Sequence, residues 1–314
     1  MKRLFSITAA AVIAAGAAPA ATGAADAAEA KTAVVSGVTY TYTVGDTASS
    51  GITITKASPA EGKLVLPEAI GGQTVTGIGD KAFLGQTGLK EVTLPSGLRT
   101  IGSSAFSACI SITHLDIPDS VQLIKEKAFM SCYALTDVSI GKGVKELPDD
   151  CFFSCTSLAG AKLPDGLQKI GNEAFFGCPV LDTFIPASVK EIGTNALGYR
   201  TDAHSAMSVQ VNGFIVNGAK GSSAETYAAE NGLDFLDPDN CLIGDINNAN
   251  MIDAKDASAI LAEYARASTG AETSFSPWQK KIGDIKPDGI IDANDASRVL
   301  MEYARLSTLP GSSL

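Results

Sequence analysis

The chain has 314 residues, and its 34 Asp and Glu against 24 Lys and Arg give a net charge of -10 at pH 7. This excess of negative charge makes a nucleic-acid backbone a poor candidate partner. Hydrophobic residues make up 45% of the sequence, which excludes a chain disordered over its whole length, and the length leaves room for two domains. The two histidines, His114 and His204, lie in segments of different pattern, so a multi-histidine zinc centre or a histidine-rich catalytic site is not expected.

Residues 1–30 have the pattern of a secretory signal peptide. A basic start, Met1-Lys2-Arg3, precedes an apolar stretch and an alanine-rich segment with small-x-small sites ending at Ala20 and Ala27. The apolar stretch is shorter than the roughly 20 residues that a membrane-spanning helix needs. We therefore expect a secreted, extracellular protein whose mature chain begins between Ala21 and Lys31. An uncleaved membrane anchor is the alternative.

A repeat of 23 residues runs from Ile78 to Leu197. Five segments related to Ile-Gly-x-x-Ala-Phe align at this offset, at residues 78–83, 101–106, 124–129, 147–152 and 170–175, and a sixth begins at Ile192. Three of the five match this form fully, whereas the third has Lys125 in place of Gly and the fourth reads Leu-Pro-Asp-Asp-Cys-Phe. Most copies continue into a short run that alternates apolar and polar residues, such as 92–94 and 115–117, and this alternation predicts a strand with one buried face. Prolines end these strands, at Pro95, Pro118, Pro164 and Pro186. Since one unit is too small to bury its apolar face alone, the copies are predicted to stack into a solenoid with a continuous core.

The pattern Ile-Gly-x-x-Ala-Phe-x-x-Cys-x-x-Leu resembles the 23-residue leucine-rich repeat of bacterial surface and secreted proteins. The flanking segments fit the same picture. Residues 39–56 and 63–78 are predicted as strands that cap the first repeat, and residues 221–235 as a helix closed by Gly232, similar to the cap that ends such arrays. The resemblance thus implies a leucine-rich repeat solenoid with both caps over residues 31–237.

Four cysteines recur at the same repeat position: Cys109, Cys132, Cys155 and Cys178. In an exported protein, regularly spaced cysteines are candidates for disulfide bonds. Equivalent residues of stacked strands lie about 4.8 Å apart with parallel side chains, whereas a disulfide needs Cβ atoms turned toward each other at about 3.8 Å. We therefore expect small buried thiols. A zinc site is disfavoured because the sulfurs would lie along one line and not converge.

The polar residues of the alternating strands form a candidate ligand face, here named the first ladder face. It consists of Glu91, Thr93, His114, Asp116, Asp137, Ser139 and Lys162, with Gly160 between them. Repeat arrays use such extended faces for binding. The face has no aromatic residue, so a platform for stacking sugars is not predicted, and a merely solvated surface is the alternative.

A second repeat, with an offset of 39, begins after the turn-rich segment 237–240. Residues 244–258 match residues 283–297, and each copy leads into a predicted helix, at 257–267 and 296–306. The density of acidic residues in the two loops would be self-repelling without a hard cation, and calcium fits best.

A 12-residue calcium loop offers side-chain oxygens at positions 1, 3, 5, 9 and 12 and a backbone carbonyl at position 7. The candidate ligands are Asp245, Asn247, the Met251 carbonyl, Asp253 and Asp256 in the first loop, and Asp284, Asp288, the Ile290 carbonyl, Asp292 and Asp295 in the second. Ala249 at position 5 lacks a side-chain oxygen, and Lys286 at position 3 brings a positive charge. We expect two calcium ions bound with weakened affinity, water replacing a ligand in each loop. Two solvated acidic turns without metal are the alternative.

Paired loop-and-helix units with Asp at position 12, and without the helix that precedes an EF-hand loop, resemble the dockerin module of cellulosome components. The resemblance covers residues 241 to about 309. It implies a fold around two calcium ions and binding to the cohesin module of a scaffoldin. It also places cohesin contacts at loop positions 10 and 11 and on the following helix, which here are Ala254, Lys255, Ser258, Ala293, Asn294 and Ser297. Since the copies are nearly symmetric, either helix is a candidate for the contact, in opposite orientations.

The sequence therefore predicts an α+β protein. It comprises a signal peptide at 1–30, a leucine-rich repeat solenoid with short stacked strands at 31–237, and a small α-helical calcium-binding dockerin at 238–314. The preferred function is a non-catalytic subunit of a cell-surface complex, whose repeats bind a protein or a cell-wall or polysaccharide ligand. The sequence has no G-x-S-x-G or H-E-x-x-H motif. The alternatives are a polysaccharide-degrading hydrolase, glycosidase or esterase, with Asp116 and Asp137 as a candidate carboxylate pair, and an adhesin.

Overall fold

The computed structural model describes residues 29–45, 51–180, 183–203, 205, 207–211, 214–237, 244–247, 251–271, 274–275, 277–286 and 289–307. Most of the expected signal peptide, His204, and the loop residues Ala249, Asn250 and Asp288 lie outside these ranges. None of the helices within them is long and apolar enough to cross a membrane.

An antiparallel cap precedes the repeats. It is formed by β1 (Lys31–Val35), β2 (Val38–Val44) and β3 (Ile52–Ser58), where β2 pairs with both neighbours. Alternate residues of this cap are buried, among them Tyr40, Ile52 and Ile54. The chain continues through β4 (Gly62–Val65), β5 (Ala69–Ile70) and β6 (Gln73–Ile78), and β6 pairs in parallel with β3. The strands predicted at 39–56 and 63–78 are thereby confirmed.

Each repeat contributes two short strands to the solenoid. The first series, in the alternating segments, is β7 (Leu89–Thr93), β9 (His114–Ile117), β11 (Asp137–Ile140), β13 (Gly160–Lys162) and β15 (Phe184–Ile185). The second series, at the Ile-Gly positions, is β8 (Thr100–Ile101), β10 (Leu123–Ile124), β12 (Glu146–Leu147), β14 (Lys169–Ile170) and β16 (Glu191–Ile192). Within each series the paired strands are parallel, as in β9-β11-β13, β6-β8-β10 and β12-β14-β16. The predicted solenoid is confirmed, and its second series is an addition to the prediction.

Turns end the first-series strands where the prolines stand. The carbonyl oxygen of Pro95 accepts the amide of Leu98, and Pro118 and Pro164 do the same for Val121 and Leu167, at 3.0–3.1 Å. Proline supplies no amide hydrogen to a ladder, so the strand stops there and the chain turns inward.

The core is a stack of equivalent side chains, one from each repeat. The rings of Phe83, Phe106, Phe129, Phe152 and Phe175 stack with centroids 4.9–5.5 Å apart and planes within 9° of parallel. All five rings are fully buried. Burial of each ring contributes about 1.5–3 kcal/mol, and an aromatic pair adds roughly 0.5–1.5 kcal/mol. This ladder makes each repeat stable only next to another.

The C-terminal cap of the array combines a hairpin, a short sheet and a helix. The hairpin is β17 (Tyr199–Thr201) and β18 (Ser208–Gln210), and the sheet orders β15, β19 (Ile215–Gly218) and β20 (Asp234–Leu236). Helix α1 (Ser223–Asn231) ends at Gly232, which has φ of 61° and donates its amide to Ala229. This left-handed C-terminal glycine confirms the predicted helix and its end.

Three helices follow: α2 (Ala254–Ser268), α3 (Pro277–Gly283) and α4 (Ala293–Ser307). Helix α2 packs against α4 around a separate apolar cluster that includes Ile246, Ile260, Ile282 and Val299. Both long helices begin three residues earlier than predicted. The side chains of Asp253 and Asp292 accept hydrogen bonds from backbone amides of the first turns and so start the helices there. Helix α3 lies between the two loop-and-helix units, in a segment for which the sequence predicted no element. Its seven residues are too few to show a helical period.

Candidate functional sites: the first ladder face and the paired acidic loops

The first ladder face has the predicted orientation. The parallel registers of β9, β11 and β13 align these residues in two rows. One row is His114, Asp137 and Gly160, and the other is Asp116, Ser139 and Lys162. These side chains point away from the core, while Leu115, Ile117, Val138 and Ile140 on the same strands are buried. Ser139 is partly buried and the other six residues are exposed.

Several charges of this face pair with one another. The His114 ring lies between two carboxylates, with Nδ1 3.1 Å from Asp137 Oδ1 and Nε2 3.2 Å from Asp116 Oδ2. The Thr136 hydroxyl donates to Asp137 Oδ2 at 2.7 Å, and this bond, together with His114, lowers the pKa of Asp137. Lys63 lies 2.8 Å from Glu91 across β4 and β7. The sequence did not indicate Lys63 or Thr136, because Lys63 precedes the regular repeats and Thr136 is outside the alternating run.

The first acidic loop folds its carboxylates inward. Asp245 and Asp256 are buried. Asp256 Oδ1 accepts the amide of Asn247 at 3.2 Å, and Oδ2 accepts the amide of Asp253 at 2.8 Å. Burial raises the pKa of Asp256, and the negative charges of Asp245 and Asp253 raise it further. A buried group under such repulsion favours a nearby positive charge.

The second loop repeats this arrangement residue by residue. Asp295 is 1% exposed and accepts the amides of Lys286 at 3.0 Å and Asp292 at 2.9 Å. Asp284 Oδ2 accepts the amide of Gly289 at 2.7 Å, and Gly289 has φ of 80°. Position 6 therefore makes the sharp turn that calcium loops require of glycine. At position 3, Lys286 contributes its backbone amide, as Asn247 does in the first loop.

The aspartates at position 9 have a role that the sequence did not reveal. Asp253 Oδ1 accepts the amide of Lys255 at 2.6 Å and, together with Asp256, forms a capping box at the start of α2. Asp292 Oδ1 accepts the amide of Asn294 at 2.7 Å at the start of α4. Each such cap stabilises its helix by about 1 kcal/mol. The loop and helix of each copy are therefore a single hydrogen-bonded unit.

The predicted contact residues lie on the exposed first turns of the two helices. Ala254, Lys255 and Ser258 are exposed on α2, and Ala293, Asn294 and Ser297 occupy the same positions on α4. The hydroxyls of Ser258 and Ser297 donate to the carbonyls of Ala254 and Ala293. Farther along the helices, Leu261 and Leu300 are each 43% exposed. Each helix thus presents one small polar segment and one exposed leucine.

Among the residues that the structure describes, no group of three or more His, Cys, Asp or Glu side chains is close enough together to hold a metal ion. This statement does not cover Asp288, a predicted ligand outside those residues. The oxygen-rich donor set of both loops, Asp with Asn or backbone carbonyls, is of the type that calcium takes. The residues present therefore fit a hard cation in chemistry, with Asp245 and Asp256 as the buried carboxylates of the first loop.

Comparison with known proteins identifies the array. Residues 76–203 match, in six copies, the family model described as BspA type leucine rich repeat region. This part of the chain is a BspA-type leucine-rich repeat region. None of the curated proteins compared with the chain matches it.

Two solved structures of leucine-rich repeat proteins are similar to the chain. The leucine rich repeat protein of T. pallidum is 28% identical, with a TM-score of 0.45, over 49% of this chain and 78% of that one. A leucine rich cell surface protein from Faecalibacterium prausnitzii is also 28% identical, with a TM-score of 0.45, over 60% of this chain and 62% of that one.

Proposed function

We propose that this protein is an exported, non-catalytic binding subunit. Its leucine-rich repeat region binds a protein or a cell-wall or polysaccharide ligand, and its C-terminal unit is a calcium-dependent dockerin that attaches it to a cohesin module. The proposed domains are those expected from the sequence, with the array at 31–237 and the dockerin at 238–314.

One observation supports the tether above all others: the two acidic loops have the same internal hydrogen bonds at an offset of 39 residues. Asp256 accepts from residues 247 and 253, and Asp295 accepts from residues 286 and 292. Two backbone amides compensate the burial of each ionised carboxylate only in part, and in the first loop the negative charges of Asp245 and Asp253 add to the cost. In the proposed module a calcium ion provides that compensation in each loop.

The first ladder face supports binding more than catalysis. Asp116 and Asp137, the pair that a hydrolase would use, both contact His114, and both are exposed on a sheet surface. Catalytic pairs need a concave site that excludes water. We therefore propose no hydrolase function.

The proposal is tested by calorimetric titration of calcium into the full chain. The Asp256→Asn and Asp295→Asn variants should each lose about one binding event, because the amide cannot provide the charge that a hard cation requires. Asp165→Asn, which changes an exposed turn of the array, is the control with the same charge change and should bind as the unmodified chain does. Calcium-loaded protein should then bind a cohesin from a panel. An absence of calcium heat with the unmodified chain would contradict the tether.

A further inference from the structure

A depression of about 390 Å³ lies on the second series of strands, where the N-terminal cap meets the first repeats. Its lining comes from β3, β6 and β8, from residues that follow β6, β8 and β10, and from the residue that precedes β8: Thr53, Thr76, Gly77, Ile78, Gly79, Asp80, Arg99, Thr100, Gly102 and Lys125. Its volume is in the range of small-ligand sites, which is about 300–1,000 Å³. None of these residues belongs to the first ladder face.

Three of the lining residues are glycines because neighbouring protein atoms occupy the space that their Cβ atoms would need. A Cβ atom at Gly77 would lie 2.6 Å from the Thr53 hydroxyl oxygen, and one at Gly102 would lie 2.5 Å from the backbone nitrogen of Asp80. At Gly79 the nearest atom, from Thr55, would be 3.2 Å away. Close packing of adjacent repeats therefore requires glycine at these positions, and the lining has no side chain at residues 77, 79 and 102.

The walls are polar and carry positive charge. Among the described residues, no carboxylate is within ion-pair distance of the exposed Arg99 guanidinium. Lys125 Nζ lies 3.2 Å from Asp80 Oδ1, which also accepts the Ser103 amide at 2.8 Å. That amide and Lys125 lower the pKa of Asp80, so the carboxylate is ionised and held in place. The partly buried Thr53, Thr76 and Thr100 add hydroxyl groups.

Arg99 is also the first cation of a ladder along the second series. The equivalent residue of successive repeats is Arg99, Gln122, Lys145, Gln168 and Lys190, and all five are exposed. Backbone hydrogen bonds join neighbouring members, as from Gln122 to Arg99 at 2.9 Å and from Lys190 to Gln168 at 2.7 Å. Strands are about 4.8 Å apart, so cations at alternate members are roughly 10 Å apart. A linear ligand with regularly spaced negative charges matches this spacing.

We propose that the depression binds a carboxylate-bearing sugar residue of an acidic oligosaccharide, and that the rest of the oligosaccharide lies along the ladder. The fork of the Arg99 guanidinium matches a carboxylate, while the threonine hydroxyls and Asp80 offer partners for sugar hydroxyls. Ile78, the only apolar side chain in the lining, is 1% exposed, so the site lacks the apolar pockets by which peptide side chains are held. This inference deepens the binding role proposed for the repeats and does not depend on the C-terminal unit.

The test is calorimetric titration of the full chain, at fixed salt, with oligogalacturonides of increasing length. Arg99→Gln should weaken binding about tenfold or more, since it removes a charge-assisted hydrogen bond to the carboxylate. Lys90→Gln removes a positive charge at an exposed residue outside both the depression and the first ladder face, and should leave affinity unchanged. Lys162→Gln tests the first ladder face separately. Lys145→Gln should weaken binding of long oligomers and not of short ones. Arg99→Lys keeps the positive charge but cannot donate two parallel hydrogen bonds, so its affinity should lie between those of the unmodified chain and Arg99→Gln. This variant also shows whether the loss in Arg99→Gln comes from the missing contact and not from misfolding.

Neutral cello-oligosaccharides of equal length, inorganic phosphate and a poly-glutamate peptide are the competing probes, and each should bind at least tenfold more weakly. Equal binding of phosphate or of the peptide would overturn the sugar assignment. Loss of oligogalacturonide binding in Lys162→Gln but not in Arg99→Gln would move the ligand to the first ladder face. That result would overturn the site and leave the proposed function intact. Absence of any oligogalacturonide binding would overturn the ligand class, whereas failure of the tether would appear only in the calcium titration.

Discussion

The repeats place two residues of each turn in the left-handed backbone region. One set consists of Lys81, Ser104, Lys127, Asp150, Glu173 and Asn195, with φ between 52° and 60°, and the other of Gly85, Ala108, Ser131, Ser154 and Gly177, with φ between 57° and 75°. Left-handed geometry costs an ordinary residue roughly 1–2 kcal/mol. The array accepts this cost because the tight turns align the phenylalanine and cysteine positions of successive repeats.

Ser154→Gly should therefore raise the free energy of unfolding by up to about 1 kcal/mol, since relief of strain at φ of 57° exceeds the added entropy of the unfolded chain. Ser157→Gly makes the same chemical change in the same repeat, at an exposed residue without positive φ, and should lower that free energy by roughly 0.5–1 kcal/mol. Urea unfolding midpoints at constant slope measure both effects. Changes of the same sign in the two variants would contradict the strain argument.

The repeat cysteines bond to the backbone of the preceding repeats. The Sγ atoms of Cys109, Cys132, Cys155 and Cys178 lie 3.0–3.3 Å from the carbonyl oxygens of Phe83, Phe106, Phe129 and Phe152, respectively. All four are buried free thiols, as is Cys151, so the expectation that they form no disulfides is confirmed. Burial raises the pKa of Cys109 to about 12 and raises those of Cys151 and Cys155 well above 9.0.

In the folded protein Cys109, Cys151 and Cys155 should not react with a maleimide at pH 8, because burial keeps these thiols protonated and the thiolate is the reactive form. Above pH 9 the unfolded thiols ionise while the folded ones stay protonated, so the free energy of unfolding should fall as pH rises past 9. The measurement is mass spectrometry of labelled protein with and without urea, in a Cys241→Ser background because Cys241 lies outside the described residues. Rapid labelling of the folded array would disprove the burial of the thiols.

At the scale of elements, the two loop-and-helix units differ at one equivalent glutamate. Glu263 on α2 is 4% exposed, and both its carboxylate oxygens lie within 3.1 Å of the Ser274 amide, which ties the segment after α2 to the helix. The side chain of Glu302 on α4 is 40% exposed and pairs with Arg305 at 2.8 Å. The sequence repeat gives both copies the same residue, and only packing makes one of them buried.

Glu263→Ala should lower the stability of the helical unit by about 1.5–3 kcal/mol, since it removes the buried charged acceptor of the Ser274 amide and hydroxyl. Glu302→Ala is the matched change in the other copy and should cost less than about 1 kcal/mol, as expected of an exposed ion pair. Fluorescence of Trp278, the only tryptophan of the chain, follows unfolding of this region in the full protein. Equal losses in the two variants would show that the buried bond contributes nothing specific.

At the scale of the whole molecule, most buried apolar residues in the described part of the chain belong to two separate clusters. One extends from Tyr40 to Ala228 through the repeats and their caps, and the other from Ile246 to Val299 between the helices. The larger cluster joins each repeat mainly to its neighbours, so the array should unfold cooperatively along its length. The smaller cluster is limited in area and relies more on its loops.

Unfolding of the full chain should accordingly show two transitions. Trp278 fluorescence should follow that of the helical unit, whereas tyrosine fluorescence and far-ultraviolet circular dichroism should show both. Calcium at one hundred times its dissociation constant should stabilise only the Trp278 transition, by about 2.7 kcal/mol per bound ion. A chelator should reverse this shift and leave the array unaffected. A single transition that calcium moves as a whole would mean that the two clusters unfold together.

Much of the architecture was determined by the sequence alone. The 23-residue period requires stacking because one repeat cannot bury its phenylalanine and leucine side chains, and the prolines mark the strand ends. The 39-residue period likewise predicted two equivalent loop-and-helix units. Both periods are repetitions of residue types at a fixed spacing, so they can be recognised in the sequence without knowledge of any contact in the structure.

Only the tertiary structure decided how residues of different repeats meet. The two-residue strands of the second series are too short to show a period, and the Asp253 and Asp292 caps compete with an equally plausible role as metal ligands. The pairing of Lys63 with Glu91 and the depression beside Arg99 depend on an irregular cap stacked on a regular array. The physical reason is that these contacts join residues more than twenty positions apart. Their geometry depends on the backbone conformation of all the intervening turns, which a local sequence pattern does not specify.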